Sequence, residues 1–219
     1  MRSPTGAAFR DRTDAGCRLA GSFDPSWRGR PRVVVLGLPR GGVPVAYEVA
    51  RFLGAPLDVL VVRKLGVPGR EELAFGAVAS GGLRVLNPEV ARSLPLAVVA
   101  DVTAQQRLEL EVRETAYRDD HPPLDLSGRT VVVVDDGLAT GATMRVAVAA
   151  VRLQDPAGIV VAVPVGAAPT CESLRREADV VICSLTPTNF VAVGAWYDDF
   201  SPTTDDEVRR LLAHARAGS

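Results

Sequence analysis

Apolar positions along the chain follow two rhythms. Short continuous runs rich in valine occupy Val33 to Leu38, Leu57 to Val62, Val131 to Val134, Ile159 to Val165 and Val180 to Cys183. A strand covered on both faces has no solvent side to alternate with, so these runs predict strands inside a parallel sheet. Between them, helical spacing predicts helices over Val43 to Leu53, stopped by Gly54, over Ala142 to Leu153, ended before Pro156, and over Thr170 to Glu177. Asp101 to Arg118 predicts a polar helix, with Val102, Leu108, Leu110, Val112 and Ala116 set among charges, and Asp119 to Ser127 a proline-containing connector. Alternating strands and helices with right-handed crossovers give an α/β fold, a mostly parallel sheet flanked by helices.

Two regions break the rhythm. Gly66 to Gly82 is glycine-rich, interrupted by Leu73 to Val78, and a connection of that length is expected to be a lid or binding loop. Residues 1–30 and 186–203 are rich in Pro, Gly and aromatics, including Trp27 and Trp196, and are expected to pack together as a cap on a core of about 32–185. The expectation is one domain over 1–219.

Chemistry concentrates where the four valines of Val131 to Val134 run into Asp135-Asp136-Gly137-Leu138-Ala139-Thr140-Gly141-Ala142-Thr143. Ligands bind at the carboxyl ends of strands in open parallel sheets. The small residues Gly137, Ala139, Gly141 and Ala142 let backbone N–H groups converge, the following helix adds its positive end, and Thr140 and Thr143 add hydroxyls, so the loop suits a phosphate. The two carboxylates repel phosphate and suit vicinal hydroxyls or a metal-bound sugar. A carboxylate pair beside a phosphate cradle suggests a ribose 5-phosphate site. The segment lacks Gly-Lys-Ser/Thr and Gly-x-Gly-x-x-Gly, so it is neither a P-loop nor a dinucleotide fingerprint.

This segment resembles the phosphoribosyl pyrophosphate (PRPP) fingerprint of type I phosphoribosyltransferases, and the resemblance extends in order over residues 32 to about 200. It implies a Rossmann-like three-layer fold with a small hood from the terminal segments, transfer of the 5-phosphoribosyl group to a nitrogen acceptor such as a nucleobase, pyrophosphate release, Mg²⁺ as cofactor, and dimers, which are common in the family. Leu38-Pro39-Arg40-Gly41-Gly42 is similar to the pyrophosphate loop, with Arg40 a forked donor and Gly41 and Gly42 allowing close approach; a plain strand-to-helix turn has the same composition. Arg63-Lys64 sits where relatives carry a basic pair reaching the pyrophosphate, and Gly66 to Gly82 corresponds to the mobile catalytic loop but departs from it in sequence, so no base carries over from the family; Glu71 and Glu72 are candidate bases or solvated charges. The resemblance gives Asp135, Asp136 and Lys64 the catalytic roles. Phe190 to Asp198 is similar to the hood strand of purine-salvage members, placing Phe190, Val191 and Trp196 at the acceptor and Asp136 and Asp198 near magnesium; the same aromatics also suit a hydrophobic plug. No lysine follows Lys64, which argues against a 6-oxopurine acceptor.

Charge bears on the partner. With 25 Lys plus Arg against 26 Asp plus Glu the net charge is −1, and only one of those cations, Lys64, is a lysine. Acids and bases are interspersed, as at Arg107, Glu109, Glu111, Arg113 and Glu114, so a continuous basic face for nucleic acid is not expected. Arg28, Arg30, Arg32 and Arg40 form the one cationic cluster, close in sequence to the pyrophosphate loop. Cys17, Cys171 and Cys183 form no Cys-x-x-Cys and are expected to be core fillers in a reducing compartment, and His121 and His214 lack ligand neighbours. The longest apolar stretch, Ile159 to Ala168, is half of the about 20 residues a bilayer span needs, so no membrane partner and a cytoplasmic location are expected. A PRPP- or nucleotide-sensing regulator on the same fold remains the rival to a transferase, and a phosphatase or phosphorylase is a third reading.

Overall fold

A computed structural model describes residues 8–118 and 121–218, and of Glu71 and Glu72 only the backbone. Five parallel strands form the main sheet: β1 (Val33–Gly37), β2 (Leu57–Val59), β6 (Thr130–Val134), β7 (Gly158–Val165) and β8 (Val180–Leu185), in the order β2-β1-β6-β7-β8. The intervening strands, β3 (Val62–Val67), β4 (Arg70–Ala79) and β5 (Leu83–Leu86), make a separate antiparallel sheet. The helices are α1 (Arg12–Ala20), α2 (Gly42–Leu53), α3 (Pro88–Ala91), α4 (Leu96–Arg118), α5 (Ala142–Arg152), α6 (Ala168–Leu174) and α7 (Asp205–Ala217).

Alternation along the buried strands builds two cores. Val33, Val35, Val132 and Val134 face one side, with Leu19 of α1, Val45 and Val49 of α2 and Val208 and Leu212 of α7. Val34, Leu36, Val131 and Val133 face the other, with Met144, Ala147, Val148 and Val151 of α5 and Leu174 of α6. Successive side chains on a strand point to opposite faces, so a run of valines feeds both layers. The result is a three-layer α/β architecture. From β1 the chain crosses one way to β2 and later the other way to β6, which makes the carboxyl ends of β1 and β6 the switch point of the sheet.

Several expectations are corrected. The apolar run Leu57 to Val62 is two strands, because the chain leaves the main sheet at Leu60 and Val61, where the Val61 N–H donates to Ser80 Oγ at 2.8 Å and the Ser80 N–H to Val61 O at 2.9 Å. Gly66 to Gly82 is no loose loop: β3 and β4 pair from Val62↔Ala79 to Val67↔Arg70 with Gly69 turning at φ +74°. Its glycines serve a sheet, since a Cβ on Gly76 would fall 2.5 Å from Val85 O on β5. The helix expected over Thr170 to Glu177 is α6, shifted toward Pro169, a residue suited to a first turn. The cationic cluster is split: Arg28 lies over the Phe52 ring and Arg30 over Trp27, at the amino end of β1, while Arg40 follows its carboxyl end. Among the described residues no helix is long and apolar enough to cross a membrane.

The terminal segments meet above the sheet. The Phe9 N–H donates to Trp196 O at 3.0 Å, the Asp198 N–H to Phe9 O at 2.9 Å, and Phe9, Ala15, Val165 and Tyr197 form a small third core.

Candidate functional site

Two loops converge at the switch point. Leu38 to Gly42 leaves β1 and enters α2; Asp135 to Gly141 leaves β6 and enters α5. Their contact is tight enough to require glycine. A Cβ on Gly42 would lie 2.7 Å from Val134 O and 3.0 Å from Asp135 Oδ1, and one on Gly41 2.1 Å from Asp136 Oδ2. The peptide bond between Pro39 and Arg40 is cis. The structure therefore brings Gly41 and Gly42 against Asp135 and Asp136.

The acids differ in surroundings. Burial pushes the Asp135 carboxyl well above the usual carboxylate range, and the neighbouring Asp136 charge pushes it further. Asp136 is also raised by burial, against the pull of Arg12, whose Nε donates to Asp136 Oδ2 at 2.8 Å. Arg12 is itself fixed: it donates to Ser201 O at 2.7 Å and lies 4.0 Å from the Phe200 ring centroid. The Tyr197 hydroxyl donates to Asp136 O at 2.5 Å. Arg12 and Thr170 were not singled out by sequence reasoning, and Tyr197 entered only as one of the aromatics of the hood segment. Nothing local to Arg12 distinguishes it from the other arginines; the fold brings it to Asp136 by packing α1 on α2 at Gly16, whose Cβ would fall 2.9 Å from Val45 O.

The segment expected to cradle phosphate is an open turn. Ala139, Thr140 and Thr143 are exposed, and Gly141 takes φ +74° as the N-cap of α5, with no side chain capping that helix. The Ala142 N–H faces Thr140 Oγ1 at 3.4 Å, and the Thr170 hydroxyl donates to Ala139 O at 2.7 Å. Gly137 admits Val193 from the segment above, since a Cβ there would fall 2.4 Å from Val193 Cγ1. A helix start with no side-chain cap beside exposed hydroxyls suits an anion.

The basic groups separate. Arg63 turns to α4, paired with Glu109 and donating to Gln106 Oε1 at 3.1 Å, so it is engaged away from the two loops. Lys64, next in the strand, faces the opposite side and is exposed; among the described residues no hydrogen bond or ion pair holds it. Arg40 is exposed, and its charge, with that of Arg113, is felt at the Tyr117 phenol on α4. The side chains of the candidate bases Glu71 and Glu72 lie outside the described residues.

On the hood side, Phe190 and Trp196 pack against the small third core, and Val191 is exposed. The buried Trp196 Nε1 has no acceptor among the described residues. Asp198 is not drawn to Asp136: with Tyr197 extended and its hydroxyl on Asp136 O, the next side chain turns outward to solvent. Among the described residues no group of three or more His, Cys, Asp or Glu is placed to hold a metal ion.

An open parallel α/β sheet with an acid pair and a helix-entering turn at its switch point is the setting in which such sheets bind ligands. Residues 68–200 match the family model described as "Phosphoribosyl transferase domain", and the chain belongs to the phosphoribosyltransferase family. It is 48% identical over 209 residues to the Mycobacterium tuberculosis protein named "Putative phosphoribosyl transferase Rv0571c", covering 94% of this chain and 47% of that one. It is 33% identical over 127 residues to "Bifunctional protein PyrR" of Chloroflexus aurantiacus, covering 57% of this chain and 65% of that one. The chain spans about half the length of the first of these relatives. The crystal structure of TT1426 from Thermus thermophilus matches with a TM-score of 0.84 and 46% identity, over 94% of this chain and 98% of that one. The fold is the three-layer α/β fold of type I phosphoribosyltransferases.

Proposed function

We propose that the chain transfers the 5-phosphoribosyl group of PRPP to a nitrogen acceptor, a nucleobase or similar small molecule, with release of pyrophosphate. The observation that carries this is the contact of the Gly41-Gly42 turn with the Asp135-Asp136 pair at the switch point. The 5-phosphate sits on the turn from Gly137 to Thr143, held by backbone N–H groups and the hydroxyls of Thr140 and Thr143. Asp135 and Asp136 accept hydrogen bonds from the ribose hydroxyls and orient C1. Arg40, with the backbone of Gly41 and Gly42, receives the departing pyrophosphate, and exposed Lys64 closes over it. Asp136 would be the side chain nearest a magnesium ion arriving with PRPP, and such an ion would supply neutralisation of the leaving charge. Departure of pyrophosphate leaves oxocarbenium character at C1, so the chain's work is positioning and charge complementarity rather than strong base catalysis. The acceptor approaches from the side of Phe190, Val191 and Trp196.

The test is PRPP with Mg²⁺ and a panel of nucleobases and small amines, read by pyrophosphate release and by calorimetry. Acceptor-dependent release, reduced about 100-fold or more in an Asp135→Asn/Asp136→Asn double variant, is expected. No PRPP binding overturns the reading.

One observation favours the sensor as a second reading: Asp136 Oδ2 is already engaged by Arg12, a partner that a ribose hydroxyl would have to share. PRPP binding without pyrophosphate release across the panel would select it.

A further inference from the structure

Cys171 of α6 and Cys183 of β8 face each other with their sulfurs 3.1 Å apart. Both press on the same bare backbone: a Cβ on Gly166 would fall 2.6 Å from Cys171 Sγ and 3.1 Å from Cys183 Sγ. Gly166 in turn bridges to Leu138, with the Leu138 N–H donating to Val165 O and the Ala167 N–H to Leu138 O, both at 2.9 Å. Thr170, next to Cys171, donates to Ala139 O, and its methyl group stands where a Cβ of Gly141 would be, 2.7 Å away. The thiol pair thus lies directly beneath the turn that we assign to the 5-phosphate.

We propose that Cys171 and Cys183 are a redox modification site, oxidised by hydrogen peroxide to an intramolecular disulfide that stiffens the turn from Leu138 to Thr143. The two thiols are unequal. The contact between the sulfurs lowers the Cys171 thiol from its ordinary value against the effect of burial, while the same contact and burial push Cys183 up. Either thiol can serve as the nucleophile; with Cys171 in that role Cys183 resolves. The Cys171 thiolate attacks one peroxide oxygen, the O–O bond breaks, and the sulfur becomes a sulfenic acid as hydroxide leaves. That hydroxide takes the Cys183 proton to form water. The Cys183 thiolate then attacks the sulfenic sulfur, forming the S–S bond and expelling a second hydroxide, which recovers the proton Cys171 gave up. Two thiol protons and two electrons reduce one peroxide to two waters. Closing 3.1 Å to a bond of about 2 Å draws α6 toward β8, and Thr170 carries the movement to Ala139. Cys17 is the internal control, since it is exposed, lies 3.5 Å from Glu48 Oε2, and is pushed up by burial and by that carboxylate.

The disulfide stands independently of the ligand; its effect on binding rests on the proposed phosphate site. The experiment treats the full chain with dilute hydrogen peroxide, quenches, and counts thiols in denaturant alongside peptide mapping and amide hydrogen exchange. The expected result is a fall from three free thiols to one, a Cys171–Cys183 linked peptide that dithiothreitol reverses, and exchange at 138–143 slowed about threefold or more. Cys171→Ser and Cys183→Ser should each show no link. Three remaining thiols, or a sulfinic acid at Cys171 with no link, would overturn the modification; a link with unchanged exchange would overturn its effect on the turn. Calorimetry with ribose 5-phosphate is run in both redox states, and a change in affinity of about threefold or more is expected. No binding by the reduced protein would remove the phosphate reading while the thiol count and the exchange still decide the disulfide.

Discussion

Asp135 and Asp136 are neighbours in sequence with unequal tasks. Asp136 is oriented by Arg12, whereas Asp135 accepts the N–H of Asp136 at 2.9 Å and otherwise faces burial and a like charge. A carboxyl raised in the fold binds its proton more tightly there than in the unfolded chain. Below about pH 4 both states carry the proton; as pH rises the unfolded chain ionises first while the folded chain still holds its proton, so stability falls from there up to the raised value and levels off above it. Asp135→Asn removes that ionisation and keeps the acceptor for the Asp136 N–H. The variant should be more stable than the parent at pH 8 by on the order of 1 kcal/mol, with the gain shrinking toward pH 4. It should also bind ribose 5-phosphate about tenfold or more weakly. Urea unfolding at the two pH values and calorimetry check both, and a variant less stable at pH 8 would contradict the assignment. The residue pair was legible from four valines running into two acids. Its partner Arg12 was not, because an ion pair spanning 124 residues leaves no local pattern.

At the scale of elements, the long buried strands were legible because a valine run has one reading in an α/β chain, and α2, α5 and α4 followed from their periodicity and stops. The hairpin was not, because glycine in a sequence signals both looseness and close approach, and only β5 lying against Gly76 shows which applies. α1 escaped for the same reason: Gly16 interrupts a short helix where it crosses α2. α7 carried a usable signal that went unread, Thr204 capping the Glu207 N–H ahead of Val208, Leu211, Leu212 and Ala215. The turn into α2 gives an element-level prediction. Gly42→Ala drives a methyl into backbone, Val134 O and Asp135 Cα, and should cost about 1–3 kcal/mol. Gly41→Ala meets side chains, Asp136 Oδ2 and Arg12 Nε, which can turn aside, so it should weaken PRPP binding with a smaller loss of stability. Paired urea titrations and calorimetry separate the two, and equal destabilisation would show that Arg12 and Asp136 cannot yield.

Across the whole molecule, the sheet positions the two loops while elements distant in sequence close over them, and the contact that ties α4 to α7 tests that closure. The Tyr117 hydroxyl donates to Asp205 Oδ1 at 2.6 Å. Burial and the Asp205 carboxylate push the phenol up to about 12, against the pull of Arg113 and Arg40. Tyrosine in the unfolded chain ionises near its ordinary value of about 10. Between pH 10 and 12 the unfolded chain therefore releases a proton that the folded chain retains, and stability falls as pH rises through that window. Tyr117→Phe cannot ionise and has no hydrogen bond to give. At pH 9 the variant should be less stable than the parent by about 1–3 kcal/mol, the range for a hydrogen bond to a charged group. As pH climbs above about 10 the parent loses its advantage and the gap should narrow. Urea midpoints of the two proteins at pH 9 and at about pH 11.5 measure it. A gap that holds constant or widens would mean that Tyr117 ionises no later in the folded chain than in the unfolded one, and that the link between α4 and α7 is not made through this hydrogen bond.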